Sequence, residues 1–255
     1  MTDRRYDIVI AGGGMIGTSL ALALAPLGLR VAVVEAVARQ ETAQPSFDDR
    51  STALSRSTQR MFEAMELWPR IVAASTPITG IHVSDQGRFG FSRINATQQG
   101  VDALGYVVIN RVLGGVLQDA LHEVDGVDVL CPARIAGVEL GPDAAIANVD
   151  VDGNSIALEC ALLVAADGAN SSVREMLGIT ANKSRYGQRA VIGNLLPEKA
   201  NENVAYERFT PQGPLAILPV ADERAAFVWT VSEHDADRVM ALDDDAFLAE
   251  LQQQF

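Results

Sequence analysis

The 255-residue sequence predicts an α/β fold, a parallel sheet with a second, mostly antiparallel sheet interleaved through it. Three features carry that expectation. The first 35 residues read as a short apolar strand, a glycine-rich turn, a helix of small and aliphatic residues and a second apolar strand, the pattern of a βαβ unit. Residues 162–166 (LLVAA) form a further apolar run that stops at Asp167-Gly168, as another buried strand would. After Gly178 the texture changes to amphipathic strands over 190–196, 203–209, 215–220 and 225–231, which suits a separate sheet. Because α/β segments stand on both sides of an antiparallel interruption, the domain boundaries are expected to be discontinuous. Residues 1–75 and 106–182 make the first domain, and 76–105 and 183–255 the second.

Element by element, residues 6–11 and 30–35 supply the first two strands, with 15–27 helical between them until Pro26 and Gly28 close the helix. Polar composition and Pro45 make 39–49 a loop. Met61, Phe62, Met65 and Leu67 keep helical spacing over 55–68. Residues 78–91 alternate around Gly87, as two antiparallel strands joined by a turn do. Val112, Leu113, Val116, Leu117, Leu121 and Val124 fall on one face of a helix over 110–124. Short strands follow at 127–131, 134–140, 145–151 and 156–158, with Gly141-Pro142 and Gly153-Asn154 as turns. Residues 243–255 are helical and open on Asp243, Asp244 and Asp245, an acidic run that the helix dipole favours.

An apolar fraction of 48% with 21% charged residues reads as globular, and 255 residues are enough to bury a sizeable core. The formal net charge of -13 argues against a nucleic-acid partner, which needs clustered Lys and Arg to neutralise phosphates. Arg4 and Arg5 precede an uncharged stretch, 8–29, that could pass for a signal peptide or a membrane span. Gly12, Gly13, Gly14 and Gly17 would break such a helix near its start, so strand, turn and buried helix explain it better. Cys131 and Cys160 have neither metal-site nor CxxC spacing and read as buried, reduced thiols of an intracellular protein.

Gly12, Gly14 and Gly17 stand in GxGxxG spacing between the first strand and the first helix. Gly12 permits the tight turn, Gly14 lets the backbone approach a pyrophosphate, and Gly17 lets the helix pack on the strand. Amides at the helix N-terminus then face phosphate with the favourable end of the dipole. Glu35 ends the second strand eighteen residues past Gly17, where an acid can accept both ribose hydroxyls. This constellation points to an ADP-containing dinucleotide without separating FAD from NAD. The segment Asp167-Gly168-Ala169-Asn170-Ser171-Ser172-Val173-Arg174 follows a buried strand and opens a helix. It places a carboxylate at the cofactor crevice, with Arg174 available to neutralise phosphate or hold the Asp; a plain loop with a helix cap at Asn170 or Ser171 is the simpler reading.

That segment resembles the DGxxSxxR motif of the class A flavoprotein monooxygenases, in which it touches the flavin and the nicotinamide donor. Phe47-Asp48-Asp49-Arg50-Ser51-Thr52-Ala53-Leu54-Ser55 is similar to the Asp-x-Arg loop of the ubiquinone-biosynthesis hydroxylases within that class, whose arginine, here Arg50, lies over the cofactor. Arg111 opens an Arg-x-Leu-x-x-x-Leu helix ending at Leu117, whose arginine reaches the FAD in that family. Residues 207–219 (ERFTPQGPLAILP) are similar to the family's sheet-domain signature, and 81–85 (IHVSD) with the order of all these motifs look most like the 2-polyprenyl-6-methoxyphenol hydroxylases. The resemblance implies a Rossmann-like FAD-binding domain holding FAD through Gly12, Gly14, Gly17, Glu35, Arg50, Arg111, Asp167, Gly168 and Arg174. It also implies a substrate-binding sheet domain, with Leu218 and Pro219 near the substrate.

The implied activity uses NADPH to reduce FAD and places one atom of molecular oxygen on the ring of a polyprenyl phenol in ubiquinone biosynthesis. Some group should favour the phenolate, and the sequence names no such base. So apolar a substrate implies a cytoplasmic protein with peripheral association at the inner face of a membrane, or membership of a multi-enzyme quinone-synthesis complex. Two other readings remain open: a non-catalytic FAD-binding or assembly subunit, and a flavin reductase. No Gly-Asp dipeptide with a following small-residue and His/Pro stretch comes after Asp167-Gly168, so the family's third FAD motif is missing. The sequence therefore reads as C-terminally truncated, and a chain that folds yet binds FAD weakly is expected. His82, His122 and His234 read as non-catalytic, and Trp68 and Trp229 as core.

Overall fold

The computed structural model describes residues 4–38, 49–221 and 223–255. The loop expected over 39–49 lies outside them except for Asp49, as do Phe47 and Asp48 of the Asp-x-Arg segment. In chain order the elements begin with β1 (Arg5–Ala11), α1 (Met15–Leu24), β2 (Val31–Val34), β3 (Ser51–Ser55), α2 (Arg56–Ala64) and α3 (Trp68–Val72). Then come β4 (Ser75–Ile78), β5 (Gly80–Asp85), β6 (Phe91–Asn95), β7 (Gly105–Ile109), α4 (Asn110–Glu123), β8 (Val127–Leu130), β9 (Arg134–Leu140), β10 (Ala145–Val151) and β11 (Asn154–Ala165). The chain closes with α5 (Ser172–Met176), β12 (Gln188–Leu195), β13 (Val204–Thr210), β14 (Gly213–Pro219), β15 (Ala225–Ser232), α6 (Glu233–Met240) and α7 (Asp244–Gln254).

Two compact units result, Met1–Asp48 with Asn110–Asn182 and Asp49–Ile109 with Lys183–Phe255. The first was expected to run to residue 75 and to resume at 106. It stops earlier because β7 pairs antiparallel with both β3, from Ser51↔Ile109 to Ser55↔Gly105, and β4, which ties 49–78 to the second unit. These three short strands gave no sequence signal: β3 is polar (STALS), and β4 and β7 are four and five residues long.

The first unit is built on a six-stranded sheet in the order β8-β2-β1-β11-β10-β9. β8, β2, β1 and β11 run parallel, and β10 and β9 extend the sheet antiparallel. β2 is VAVV with every residue buried, which is why it reads as a continuous apolar run and not as alternation. The strands expected at 156–158 and 162–166 are one strand of 12 residues, β11. Its first half pairs with β10 and its second half with β1, and the exposed Glu159 at the junction interrupts the apolar pattern without interrupting the strand. Val9, Ala32, Val149 and Leu158 are fully buried in the core of this unit.

The second unit holds the three-stranded sheet β3-β7-β4 and a six-stranded sheet in the order β12-β15-β14-β13-β5-β6, antiparallel except where β13 meets β5. Trp229, Phe227 and Leu215 pack under α6 and α7 through Val239, Phe247 and Leu251. The helix expected over 55–68 is two helices, because Pro69 in the first turn of α3 cannot continue a helix from α2 and Glu66 turns the chain at φ 59°. Trp68 begins α3 and is buried against Tyr106, and Trp229 is buried as well. Ile78 belongs to β4, and the hairpin around Gly87 is β5 with β6. Asp243 caps α7 by accepting from the Ala246 amide at 2.8 Å, whereas α6, capped by Ser232, was not foreseen. Of the two thiols expected in the core, Cys160 is buried and Cys131 is exposed just past the end of β8. Among the described residues no helix is long and apolar enough to cross a membrane.

Leu158→Ala removes a fully buried side chain at the seam where β11 changes partner, and it should lower unfolding free energy by about 2–5 kcal/mol in urea titrations. A loss below about 1 kcal/mol would mean that the seam repacks freely.

Candidate functional site

The C-terminal ends of β1, β2 and β11 lie side by side, and the chain leaves all of them at one edge of the sheet. A cleft of about 450 Å³ opens there, lined by Gly12, Gly14, Met15, Glu35, Asp167, Gly168 and Ser172 among others. This is the size of a small-molecule pocket and the usual position for one in a parallel α/β sheet. Backbone bonds hold the three ends together: the Gly12 amide donates to Val34 O at 2.8 Å and the Ala166 amide to Ala11 O at 2.7 Å.

Gly12 has φ +101°, and a Cβ there would lie 2.4 Å from the Ala166 carbonyl oxygen. A Cβ at Gly17 would lie 1.9 Å from the Gly12 carbonyl oxygen. Both contacts are with backbone, so no side chain could move aside. Gly12 thus lets the turn pass against the chain leaving β11, and Gly17 brings α1 directly against that turn at the end of β1. Gly14 is the N-cap of α1 with no side-chain cap, which leaves the first-turn amides open toward the cleft.

Glu35 lines the same cleft, but its carboxylate already serves the protein. Oε2 accepts from the Gly13 amide at 2.6 Å and Oε1 from the Val37 amide at 2.8 Å. An ionised carboxylate has about four lone-pair sites, so each oxygen can still accept from a ligand hydroxyl. The acid therefore fixes the glycine turn as well as facing the cleft. Two residues that the sequence reading missed support the turn from behind. The buried Thr18 donates through Oγ1 to Gly13 O at 2.9 Å, and Gln118 of α4 donates through Nε2 to the same oxygen at 2.8 Å. Gln118 could not be found from sequence because 105 residues separate it from Gly13.

Asp167 follows β11 into the cleft. Its Oδ2 accepts from Ser172 Oγ at 3.3 Å and the Val173 amide at 3.2 Å, and its buried Oδ1 has no hydrogen-bond partner among the described residues. Burial raises the carboxyl's proton affinity, but the hydrogen bonds that serine and backbone groups at the start of α5 donate to it outweigh this and hold the group below the usual carboxylate range. Ser171 caps α5 by accepting from the Arg174 amide at 3.0 Å, so the simpler cap reading and the cleft-lining Asp coexist. Arg174 does not hold Asp167; its Nη2 donates to Ala169 O at 3.0 Å and braces the loop.

Of the sequence-predicted residues, the first unit gathers Gly12, Gly14, Glu35, Asp167 and Gly168 on the cleft wall, with Gly17 behind the turn. Arg111 is exposed on the first turn of α4 and does not line it. Arg50, Leu218 and Pro219 belong to the second unit. There Leu218 is half-buried on the face that packs against Ile78 and Val107, and Pro219, one residue on, is buried and points to the other face. Asn194 Nδ2 on β12 donates to Asp49 O at 3.2 Å, which brings the segment carrying Arg50 to the Leu218 face. His82 stacks on Phe91, while His122 and His234 are exposed. Among the described residues no cluster of His, Cys, Asp or Glu could hold a metal ion.

The donor set fits a dinucleotide: a turn with no side chain in the way, free helix amides, a carboxylate with spare lone pairs and a buried carboxylate oxygen awaiting a donor. A family model described as an FAD binding domain matches residues 5–255. Ubiquinone hydroxylase UbiL of Rhodospirillum rubrum is 33% identical over 253 residues, which cover 99% of this chain and 58% of that protein. The human mitochondrial ubiquinone biosynthesis monooxygenase COQ6 is 28% identical over 270 residues, covering 97% of this chain and 55% of that one. The chain thus spans somewhat more than half the length of these relatives. Among solved structures, Pseudomonas aeruginosa PqsL in complex with 2-aminobenzoylacetate superposes with a TM-score of 0.82 at 23% identity, over 98% of this chain and 67% of that one. The p-nitrophenol 4-monooxygenase PnpA of Pseudomonas putida DLL-E4 gives 0.76 at 16% identity, over 98% and 62%. At these identities the two structures speak for the fold.

Glu35→Ala should weaken FAD binding about ten- to hundredfold in fluorescence titrations of the complete protein, for loss of a charged hydrogen-bond acceptor. It should also lower the melting temperature without ligand, because the Gly13 and Val37 amides lose their acceptor. Asp167 has a depressed folded-state pKa, so its contribution is complete above the ordinary carboxylate value and is lost as pH falls through the lower folded value. Asp167→Asn should cost about 1 kcal/mol at neutral pH, and the gap from wild type should close at strongly acid pH. Parallel urea titrations that show a constant gap would contradict this.

Proposed function

The chain belongs to the FAD-binding-domain family, and from that premise we propose that the protein is an FAD-dependent, NAD(P)H-consuming monooxygenase that hydroxylates the ring of a polyprenyl phenol in ubiquinone biosynthesis. The observation that carries the reading is the cleft where Gly12, Gly14, Glu35 and Asp167 converge, a dinucleotide cradle built by residues far apart in sequence. The relatives named for ubiquinone hydroxylation and ubiquinone biosynthesis, which align along nearly the whole chain, support the substrate class.

In this reading the open first turn of α1 takes the pyrophosphate, Glu35 the ribose, and Asp167 Oδ1 accepts a hydrogen bond from the bound cofactor. FAD supplies the redox and oxygen-activating chemistry when bound. The protein contributes rigidity. Glu35, Thr18 and Gln118 hold both the amide and the carbonyl of Gly13, so the turn meets the phosphates without reorganising. The substrate's apolar tail calls for a membrane surface or a partner protein to deliver it, and the net charge of -13 disfavours contact with anionic lipid headgroups.

The test is NADPH oxidation by the complete, FAD-loaded protein with a short-tailed prenylphenol. Oxidation coupled to a product one oxygen atom heavier is expected. FAD reduction that is equally fast without any phenol, with no oxygenated product, would favour the reductase reading instead.

A further inference from the structure

On the six-stranded sheet of the second unit, the face opposite α6 and α7 carries a row set by strand register: Ile192, Val228, Ala216, Glu207 and Val83. Ile192 and Val228 are exposed by 46% and 36%, and Phe209, two residues along β13 on the same face, by 48%. A carboxylate therefore stands half-buried in the middle of an apolar, partly open strip. The Glu207 carboxylate makes no hydrogen bond or ion pair among the described residues. Along the strands of this face the charged side chain next to it is Asp85, opposite Phe209 and taken by Arg88 at 3.1 Å, and the segment carrying Asp49 and Arg50 reaches the same face through Asn194. Arg208 and its partner Ser84 lie on the other face.

A lone acid among apolar neighbours costs desolvation that nothing among the described residues offsets. Burial accordingly pushes the Glu207 carboxyl up. What such a strip can take is an apolar molecule with one hydroxyl, the apolar body lying along Val228 and Phe209 and the hydroxyl donating to the acid.

We propose that Glu207 is the base that takes the hydroxyl proton of the phenol, an inference that rests on the hydroxylase reading above. The phenol O–H bond breaks, the proton goes to a Glu207 carboxylate oxygen, and the electron pair of the bond stays on the phenol oxygen. No electron passes between them. The resulting phenolate has the more electron-rich ring, which is what attack on an electrophilic oxygen requires. The proton leaves to solvent between turnovers.

The experiment uses the complete, FAD-loaded protein as wild type, Glu207→Gln and Glu207→Asp, with 2-prenylphenol as probe. Its two readouts are the affinity for the phenol, read from its quenching of flavin fluorescence, and kcat and KM for the oxygenated product from pH 6 to 10. Phenols ionise near 10 and carboxylates near 4, so the proton passes to Glu207 only as the ring is attacked, and the wild type should bind the neutral phenol with a kcat nearly flat from pH 7 to 10. Glu207→Gln should bind the probe with affinity and KM changed by less than about threefold and lose about a hundredfold in kcat at pH 7. Its kcat should recover toward pH 10 as the phenol ionises in solution, and Glu207→Asp should lie between the two. A Glu207→Gln protein that keeps its kcat at pH 7, or whose loss stays constant up to pH 10, overturns the assignment. A wild type that binds the probe and never oxygenates it sinks the hydroxylase reading instead.

Discussion

The first unit depends on one steric constraint, the direct contact of α1 with the end of β1. With Cβ positions at Gly12 and Gly17 falling 2.4 Å and 1.9 Å from backbone oxygens, the helix can start where it does only if both residues lack side chains. That closeness puts the first-turn amides of α1 at the carboxyl edge of the parallel sheet, where Glu35 and Asp167 arrive from the neighbouring strands. A helix displaced by even a methyl group would move the amides away from the cleft and strand Glu35 from the Gly13 amide. The anion-binding edge thus follows from packing geometry before any ligand is considered.

Hydrogen bonds then turn a permitted conformation into a fixed one. Gly13 is held at its amide by Glu35 and at its carbonyl by Thr18 and Gln118, so a residue without a side chain is clamped by three others. Charged and buried hydrogen bonds are the stronger ones, and here they are spent on a turn that a flexible glycine run would otherwise leave loose. Asp167 divides its two oxygens in the same spirit. One orders the start of α5, and the other has no partner among the described residues at the cleft.

The second unit distributes its burial unevenly. One face of the large sheet is sealed by Phe227, Trp229, Phe247 and Leu251 under two helices, and part of the other by Ile78, Val107 and Leu218. The remainder stays partly open and apolar around Glu207. A protein that needed only stability would gain little from an unpaired acid at that place.

The sequence by itself determined the βαβ start, the parallel second half of β11 that stops just before Asp167, the four strands after Gly178 and the glycine, Glu35 and Asp167 members of the cleft. These are legible because each depends on local features: β-branched apolar runs that must be buried on both faces, glycines that a turn requires, and an acid at a strand end. Tertiary structure alone decided the rest. β3 and β4 are short and polar, β7 is apolar but only five residues long, and the three exist as a sheet because they pair with one another, which moved the domain boundary from residue 75 to 48. Gln118 reaches Gly13 across 105 residues, and Leu218 and Pro219, adjacent in sequence, face opposite ways. Each of these is fixed by a contact between segments distant in sequence or by the two-residue period of a strand whose covered face is chosen elsewhere, and neither is written in the local order of residues.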